Sequence, residues 1–134
     1  MAEHNDLGRL GEDEALLYLS LKGYRLRHKN WRVGHYEIDI VAEWYDEIVF
    51  VEVKTRSHEN TALAKEAVDL KKKKNLVEAG KAYLNYYGLR NSPYSYDIVT
   101  VVGTKVPFKI THIRNAYTEN EVWQQLHHFK EFEV

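Results

Sequence analysis

Residues 36–56 read YEIDIVAEWYDEIVFVEVKTR, and charged side chains interrupt two otherwise apolar segments within them. Residues 48–55 alternate in the way of a β-strand, which places every second side chain on the same face. One predicted face carries Val49, Val51 and Val53, and the other carries Ile48, Phe50, Glu52 and Lys54. The second face begins apolar and ends charged, which predicts a strand that is buried on both sides and then opens into a polar site.

Asp39 interrupts the other apolar segment, in a strand predicted at residues 36–43. A short turn would pair this strand with the next, so that Asp39 and Glu52 become neighbours. Two carboxylates on adjacent strands can share Mg²⁺ or Mn²⁺, and the backbone carbonyl of Val53 would supply a further ligand. A water molecule polarised by the ion and oriented by Lys54 would then be a nucleophile for a phosphodiester.

A non-catalytic interpretation of Glu52 and Lys54 is a solvated strand face with a cross-strand ion pair. The apolar neighbours of Glu52 and Asp39 argue against it, because charges placed among apolar residues carry a desolvation cost that a metal ion would offset. Glu37 shares the predicted face of Asp39 and is either an outer ligand or a solvent-facing acid.

The remaining elements follow from periodicity, turn residues and caps. Helices are predicted at residues 5–21 and 61–87, with a final helix opened by a capping box of Thr118 and Glu121. Further strands are predicted at residues 24–33, 95–102 and 108–113. This order predicts one α/β domain over residues 1–134, with a central mixed sheet flanked by helices.

Composition limits the classes of function. The chain has 134 residues, 44% hydrophobic and 29% charged, and no cysteine, which excludes disulfides and thiolate metal sites. No apolar run is long enough to span a membrane and the N-terminal residues lack a secretory pattern, so a cytoplasmic protein is expected. The net charge of -1 argues against binding nucleic acid by bulk positive charge, but basic residues cluster at 25–32 and 71–74.

Several motifs together resemble the YraN-like UPF0102 family. They are Gly8-x-x-Gly11-Glu12-x-x-Ala15-x-x-Tyr18-Leu19, Asn30-Trp31-Arg32, Glu37-Ile38-Asp39, Phe50-Val51-Glu52-Val53-Lys54-Thr55-Arg56 and Tyr96-Asp97-Ile98-Val99. That family is similar to Holliday junction resolvases and other PD-(D/E)XK nucleases. The resemblance implies a restriction-endonuclease-like fold, and it implies that Asp39, Glu52 and Lys54 form the catalytic motif, with Glu12 as an additional acidic residue at the metal.

The expected function is therefore a magnesium- or manganese-dependent endonuclease acting on DNA, including branched or junction DNA. Resolvase-like cutting of both strands implies a homodimer. The alternatives are a nucleic-acid-binding module on a nuclease fold with little or no catalysis, and a scaffold protein with a vestigial acidic cluster.

Four basic residues are candidates for phosphate contact: Lys29, Arg32, Arg56 and Lys72. Arg56 follows the catalytic motif and could hold a scissile phosphate, or could simply pair with an acid. Lys72 has apolar residues four positions on either side, which places it nearer the packed face than the other lysines of its run. A solvated helix face is the alternative explanation of that run.

Overall fold

The computed structural model describes residues 2–58 and 69–127, with side chains described from residue 6 onward. In those ranges the chain forms helices and strands in the order that the sequence predicts, helix, three strands, helix, two strands, helix. Their bounds are α1 Ala2–Leu21, β1 Arg25–Val33, β2 Tyr36–Trp44, β3 Glu47–Arg56, α2 Leu70–Tyr86, β4 Tyr94–Val102, β5 Lys109–Tyr117 and α3 Glu119–Leu126.

The strands form a five-stranded sheet in the order β1-β2-β3-β4-β5. Neighbouring strands are antiparallel except β3 and β4, which are parallel. Parallel neighbours need a crossover connection, and α2 lies in the segment that joins these two strands. The predicted fold class is confirmed: a mixed α/β sheet flanked by helices, consistent with the restriction-endonuclease-like fold.

Each face of the sheet has its own hydrophobic core. On one face, Ala15 and Leu19 of α1 belong to a cluster with valines of β3 and β4. On the other face, Tyr83 of α2 and Val122 of α3 belong to a cluster that includes Phe50. The alternation predicted for β3 is confirmed, because its odd-numbered valines lie in the α1 cluster and Ile48 and Phe50 lie in the α2 cluster.

The alternation predicted for β2 is wrong at Ile38. The sequence pattern places Ile38 on the face of Ile40, but the structure places it in the α2 cluster with Val41. Ile38 lies beyond the end of the ladder between β2 and β3, which stops at Ile40. On the β1 side, Asn30 adopts a left-handed conformation with φ 53.

The sequence predicts a single helix over residues 61–87, and the predicted start of this helix is also wrong. Asp69 is extended, and its side chain accepts a hydrogen bond from the Lys72 N–H, so a helix begins at Leu70. The predicted residues 61–68 lie outside the described ranges. β5 extends to Tyr117 instead of ending at residue 113, with a register shift opposite residues 96–98. The capping box of Thr118 and Glu121 is confirmed at the start of α3.

Among the described helices, none combines the length and the apolar composition needed to cross a lipid bilayer.

Candidate active site

The acidic residues of the central motif lie where β2 and β3 stop pairing. Their ladder ends at Ile40 opposite Val51, although β3 continues beside β4 to the end of the strand. Beyond that point the Val53 N–H donates to Oδ2 of Asp39 at 2.9 Å. A carboxylate thus accepts a ladder hydrogen bond that a backbone carbonyl would otherwise accept, and the two strands open around it.

Asp39 and Glu52 meet at this opening. The two carboxyl groups interact electrostatically, since the charge of Asp39 raises the pKa of Glu52, and Glu52 is only 5% exposed. Oε1 of Glu52 is buried and has no hydrogen-bond partner among the described residues. Because a buried carboxylate oxygen without a partner is unfavourable, the position is suited to a cation.

Burial perturbs the ionisation of both acids. Burial, followed by the charge of Asp39, raises the pKa of Glu52 to about 8, while Lys72 and Lys54 act in the opposite direction. Burial also raises the pKa of Asp39, and the hydrogen bond from Val53 lowers it in part. The pair therefore keeps a proton at neutral pH when no cation is bound. A metal ion needs both groups ionised, so its binding would release that proton.

Helix α1 brings Glu12 to the same opening. Gly11 allows the approach, because a Cβ at this position would lie 1.9 Å from Oγ1 of Thr55 on β3. Burial, followed by the charge of Asp39, raises the pKa of Glu12. The structure therefore brings Glu12 into electrostatic interaction with Asp39.

Asn30 connects Glu12 to Glu37, a role that the sequence analysis did not assign. With its amide nitrogen turned toward the acids, Asn30 donates to Oε1 of Glu12 and Oε2 of Glu37, both at 3.2 Å. Its left-handed backbone is tolerated because asparagine adopts this conformation more readily than most residues. Asn30 belongs to the motif Asn30-Trp31-Arg32. Its bridging role depends on a backbone conformation that this motif does not reveal.

The acids supply a minimal donor set for Mg²⁺ or Mn²⁺. In the described part of the chain, no three Asp, Glu or His side chains converge closely enough to enclose a metal ion. Mg²⁺ commonly binds one or two protein carboxylates and keeps several waters. Asp39 and Glu52, with the unpartnered oxygen of Glu52, fit that requirement, and the carbonyl of Val53 is available between Glu52 and Lys54 in sequence. Glu12 stands beside this set without completing a three-carboxylate site.

The charges of two lysines act on the acids, and Arg56 follows them at the end of β3. Nζ of Lys72 lies 3.7 Å from Oε2 of Glu52. Lys54 is half-buried, shares the strand face of Glu52 by alternation, and lowers the pKa of Glu52 through its charge. Arg56 is half-buried, and its guanidinium makes no ion pair or hydrogen bond with any described residue. Pairing of Arg56 with an acid, the duller alternative, is therefore not seen within the described ranges.

The basic residues of β1 are paired with acids. The pairs are Arg25 and Arg27 with Glu43, Lys29 with Asp13 at 3.1 Å, and Arg32 with Glu37 at 3.7 Å. Lys29 and Arg32 were predicted to contact nucleic acid, and each would have to leave its acid to do so. Such pairs are weak where the side chains are exposed.

A second polar cluster lies on the α1 face, where the sequence analysis proposed no site. Asp97, 1% exposed, accepts hydrogen bonds from the Ser95 hydroxyl and the Asn115 N–H, and its Oδ2 lies 2.8 Å from Nε2 of His112. Nδ1 of His112 lies 3.3 Å from the hydroxyl of Tyr18. The only sequence signal is an acid in an apolar strand, as for Asp39. The cluster joins α1 to β4 and β5 through Tyr18, His112 and Asp97. The oxygens of Asp97 already have hydrogen-bond partners.

A cavity of about 550 Å³ in the described part of the chain does not contain the acids. It lies between α2, α3 and the start of β4, and residues such as Lys74, Tyr94, Trp123 and Leu126 line it. The chemistry of the acidic pair, with its raised pKa values and unpartnered oxygen, identifies the candidate site better than cavity size does.

Comparison with known proteins connects these residues to a family. A family model described as "Uncharacterised protein family UPF0102" matches residues 11–101. A UPF0102 protein of Bacteroides thetaiotaomicron is 50% identical over 117 residues, which cover 87% of this chain and 96% of the relative. A UPF0102 protein of Phocaeicola vulgatus is 44% identical over the same shares of the two chains. A UPF0102 protein of Chlorobium phaeobacteroides is 37% identical over 119 residues, or 84% of this chain and 94% of that one.

Proposed function

The chain belongs to the UPF0102 family, and from this premise we propose that it is a metal-dependent endonuclease that hydrolyses phosphodiester bonds in DNA. The observation that carries the proposal is the buried pair of Asp39 and Glu52. The charge of Asp39 acts on Glu52, one buried oxygen of Glu52 has no partner among the described residues, and the charges of Lys72 and Lys54 also act on Glu52. This arrangement suits a divalent cation beside an anionic substrate.

Asp39 and Glu52 would hold the ion, together with the Val53 carbonyl, and Glu12 would bind through an intervening water. When bound, Mg²⁺ or Mn²⁺ supplies Lewis-acid activation of water and neutralises charge on the phosphate. Lys54 holds its ammonium at the charged end of β3, where it can orient the attacking water and stabilise negative charge. Arg56, which has no partner among the described residues, can bind a phosphate oxygen pair with two N–H groups.

Branched DNA, such as a four-way junction, is the substrate class that we propose first. Symmetrical cutting of two strands needs two active sites, so the proposal includes a two-fold homodimer. The proposal also includes a cytoplasmic location for the enzyme.

A second candidate function is DNA binding with little or no hydrolysis. It is favoured by the lack of a closed three-carboxylate set among the described residues. Against it, a protein that only binds DNA would gain from losing buried acids that repel phosphate.

A cleavage panel tests the proposal. Labelled four-way junctions, flaps, nicked duplexes, plain duplexes and single strands are incubated with protein and Mg²⁺, Mn²⁺ or EDTA. We expect cleavage with either metal and none with EDTA, and we expect junctions to be cut fastest. Binding of these substrates without cleavage under any metal condition would favour the second candidate.

A further inference from the structure

Lys72 forms an ion pair with the buried Glu52. A role as one more lysine on a basic helix face does not explain this contact. Its N–H donates to Oδ1 of Asp69 at 2.8 Å, so Lys72 lies in the first turn of α2. From there its Nζ reaches within 3.7 Å of Oε2 of Glu52. The Glu52 side chain is 6% exposed and the Lys72 side chain is 47% exposed. One end of this ion pair is therefore fixed in the core and the other can move into solvent.

The charge of Lys72 acts on both acids. It lowers the pKa of Asp39 and of Glu52, and its effect on Glu52 is larger than that of Lys54. Of the two lysines whose charges act on Glu52, the α2 lysine thus has the larger effect, and Lys54 of the central motif has the smaller one. An ammonium can only donate hydrogen bonds and cannot replace the coordination that a divalent ion supplies.

We propose that Lys72 is the resident counter-ion of Asp39 and Glu52, that a divalent cation displaces it, and that the displaced ammonium then binds a substrate phosphate. This inference rests on the proposed function. A divalent ion at the carboxylates would repel an ammonium at 3.7 Å, and the flexible, half-exposed side chain can swing outward. Metal binding would thereby add a phosphate contact, and by linkage DNA would strengthen metal binding.

Affinity for Mn²⁺ alone, measured without DNA by titration calorimetry or electron paramagnetic resonance, tests the inference. Lys72→Met removes the competing charge and retains the unbranched side chain. We expect Lys72→Met to bind Mn²⁺ about fivefold more tightly than wild type, as suits the loss of one half-exposed charge. Lys71→Met is the matched control, because Lys71 is exposed on the same helical turn, and it should bind as wild type does.

Addition of a short duplex provides the second measurement. It should tighten Mn²⁺ binding in wild type and in Lys71→Met, and tighten it less in Lys72→Met. Equal or weaker Mn²⁺ binding by Lys72→Met, with binding lost in Glu52→Gln, would overturn the role of Lys72 and leave the metal site intact. If wild type does not bind Mn²⁺, or if Glu52→Gln binds it equally well, the proposed function fails together with this inference.

Discussion

Glu52 lies in the core near Asp39, and one of its oxygens has no hydrogen-bond partner in the described part of the chain. Such a group is stable with a proton or with a cation, and unstable as a bare anion. The position of both acids could be predicted from the sequence, because a charge inside an apolar strand stands out. The bridging role of Asn30 and the pairing of Asp97 with His112 could not, because both depend on contacts between segments distant in the chain.

The raised pKa of Glu52 predicts how metal-free stability changes with pH. The folded state holds a proton up to about pH 8, whereas the unfolded chain loses it near the ordinary value of 4.5. The folded state therefore binds more protons between these values, and the contribution of Glu52 to stability is lost as pH rises through this window.

Replacing Glu52 by glutamine should remove this loss. In EDTA, Glu52→Gln should match wild type near about pH 5 and be more stable by on the order of 2 kcal/mol near about pH 8.5. Urea unfolding at several pH values measures the difference, with Glu78→Gln, an exposed acid on α2, as control. A difference between variant and wild type that did not change with pH would contradict the assignment.

Close contact between α1 and β3 sets the position of Glu12, and one glycine makes that contact possible. Gly11 and Gly8 lie one helical turn apart, yet a Cβ at Gly11 would overlap Thr55, whereas a Cβ at Gly8 meets nothing within 4 Å. Replacing each glycine by alanine therefore separates the effect of helix propensity on stability from the effect of packing.

Gly11→Ala should push α1 away from β3 and destabilise the protein by about 1–3 kcal/mol. Gly8→Ala should instead stabilise it by about 0.5–1 kcal/mol, as alanine does in helices. Thermal or urea unfolding of both variants measures these effects. Equal changes for the two variants would mean that α1 does not pack as tightly on β3 as the structure indicates.

The order of elements could be predicted because strand alternation, Gly-containing turns and the capping box of Thr118 are local signals. The start of α2 could not be predicted from periodicity, because the helical pattern extends across Asp69. In the structure Asp69 is the N-cap, and the helix begins after it. The fit of α1 could not be predicted, because nothing near Gly11 in sequence shows that Thr55 will face it.

The whole chain has a net charge of -1, and among its described residues four cations of β1 are held in ion pairs. Lys54 and Lys72 act on the acids, and Arg56 and the exposed lysines of α2 are further candidates for phosphate contact. The sequence shows where basic residues cluster, but it does not show that the β1 cluster is paired with Asp13, Glu37 and Glu43.

A few phosphate contacts predict a moderate dependence of DNA binding on salt. The slope of log affinity against log salt should be about -2 to -4, as two to four contacts give on duplex DNA. Glutamine at Lys71, Lys72, Lys73 and Lys74 together should flatten it, whereas Lys22→Gln, an exposed residue just beyond the far end of α1, should not. Fluorescence anisotropy over a salt series provides the slopes. An unchanged slope in the fourfold variant would assign those lysines to an ordinary solvated helix face.

The role of Asp39 in hydrolysis is tested by comparing two acids of the same β2–β3 hairpin. Asp39 lies at the opening between the strands, and Asp46 is exposed at the turn. Single-turnover cleavage and DNA affinity are measured together, with Mn²⁺, for wild type, Asp39→Asn and Asp46→Asn. We expect Asp39→Asn to slow cleavage by about 100-fold or more without weakening DNA binding, since asparagine keeps the shape and loses the charge that recruits the cation. Asp46→Asn should cut as wild type does. Cleavage by Asp39→Asn at the wild-type rate would contradict the assignment of the site.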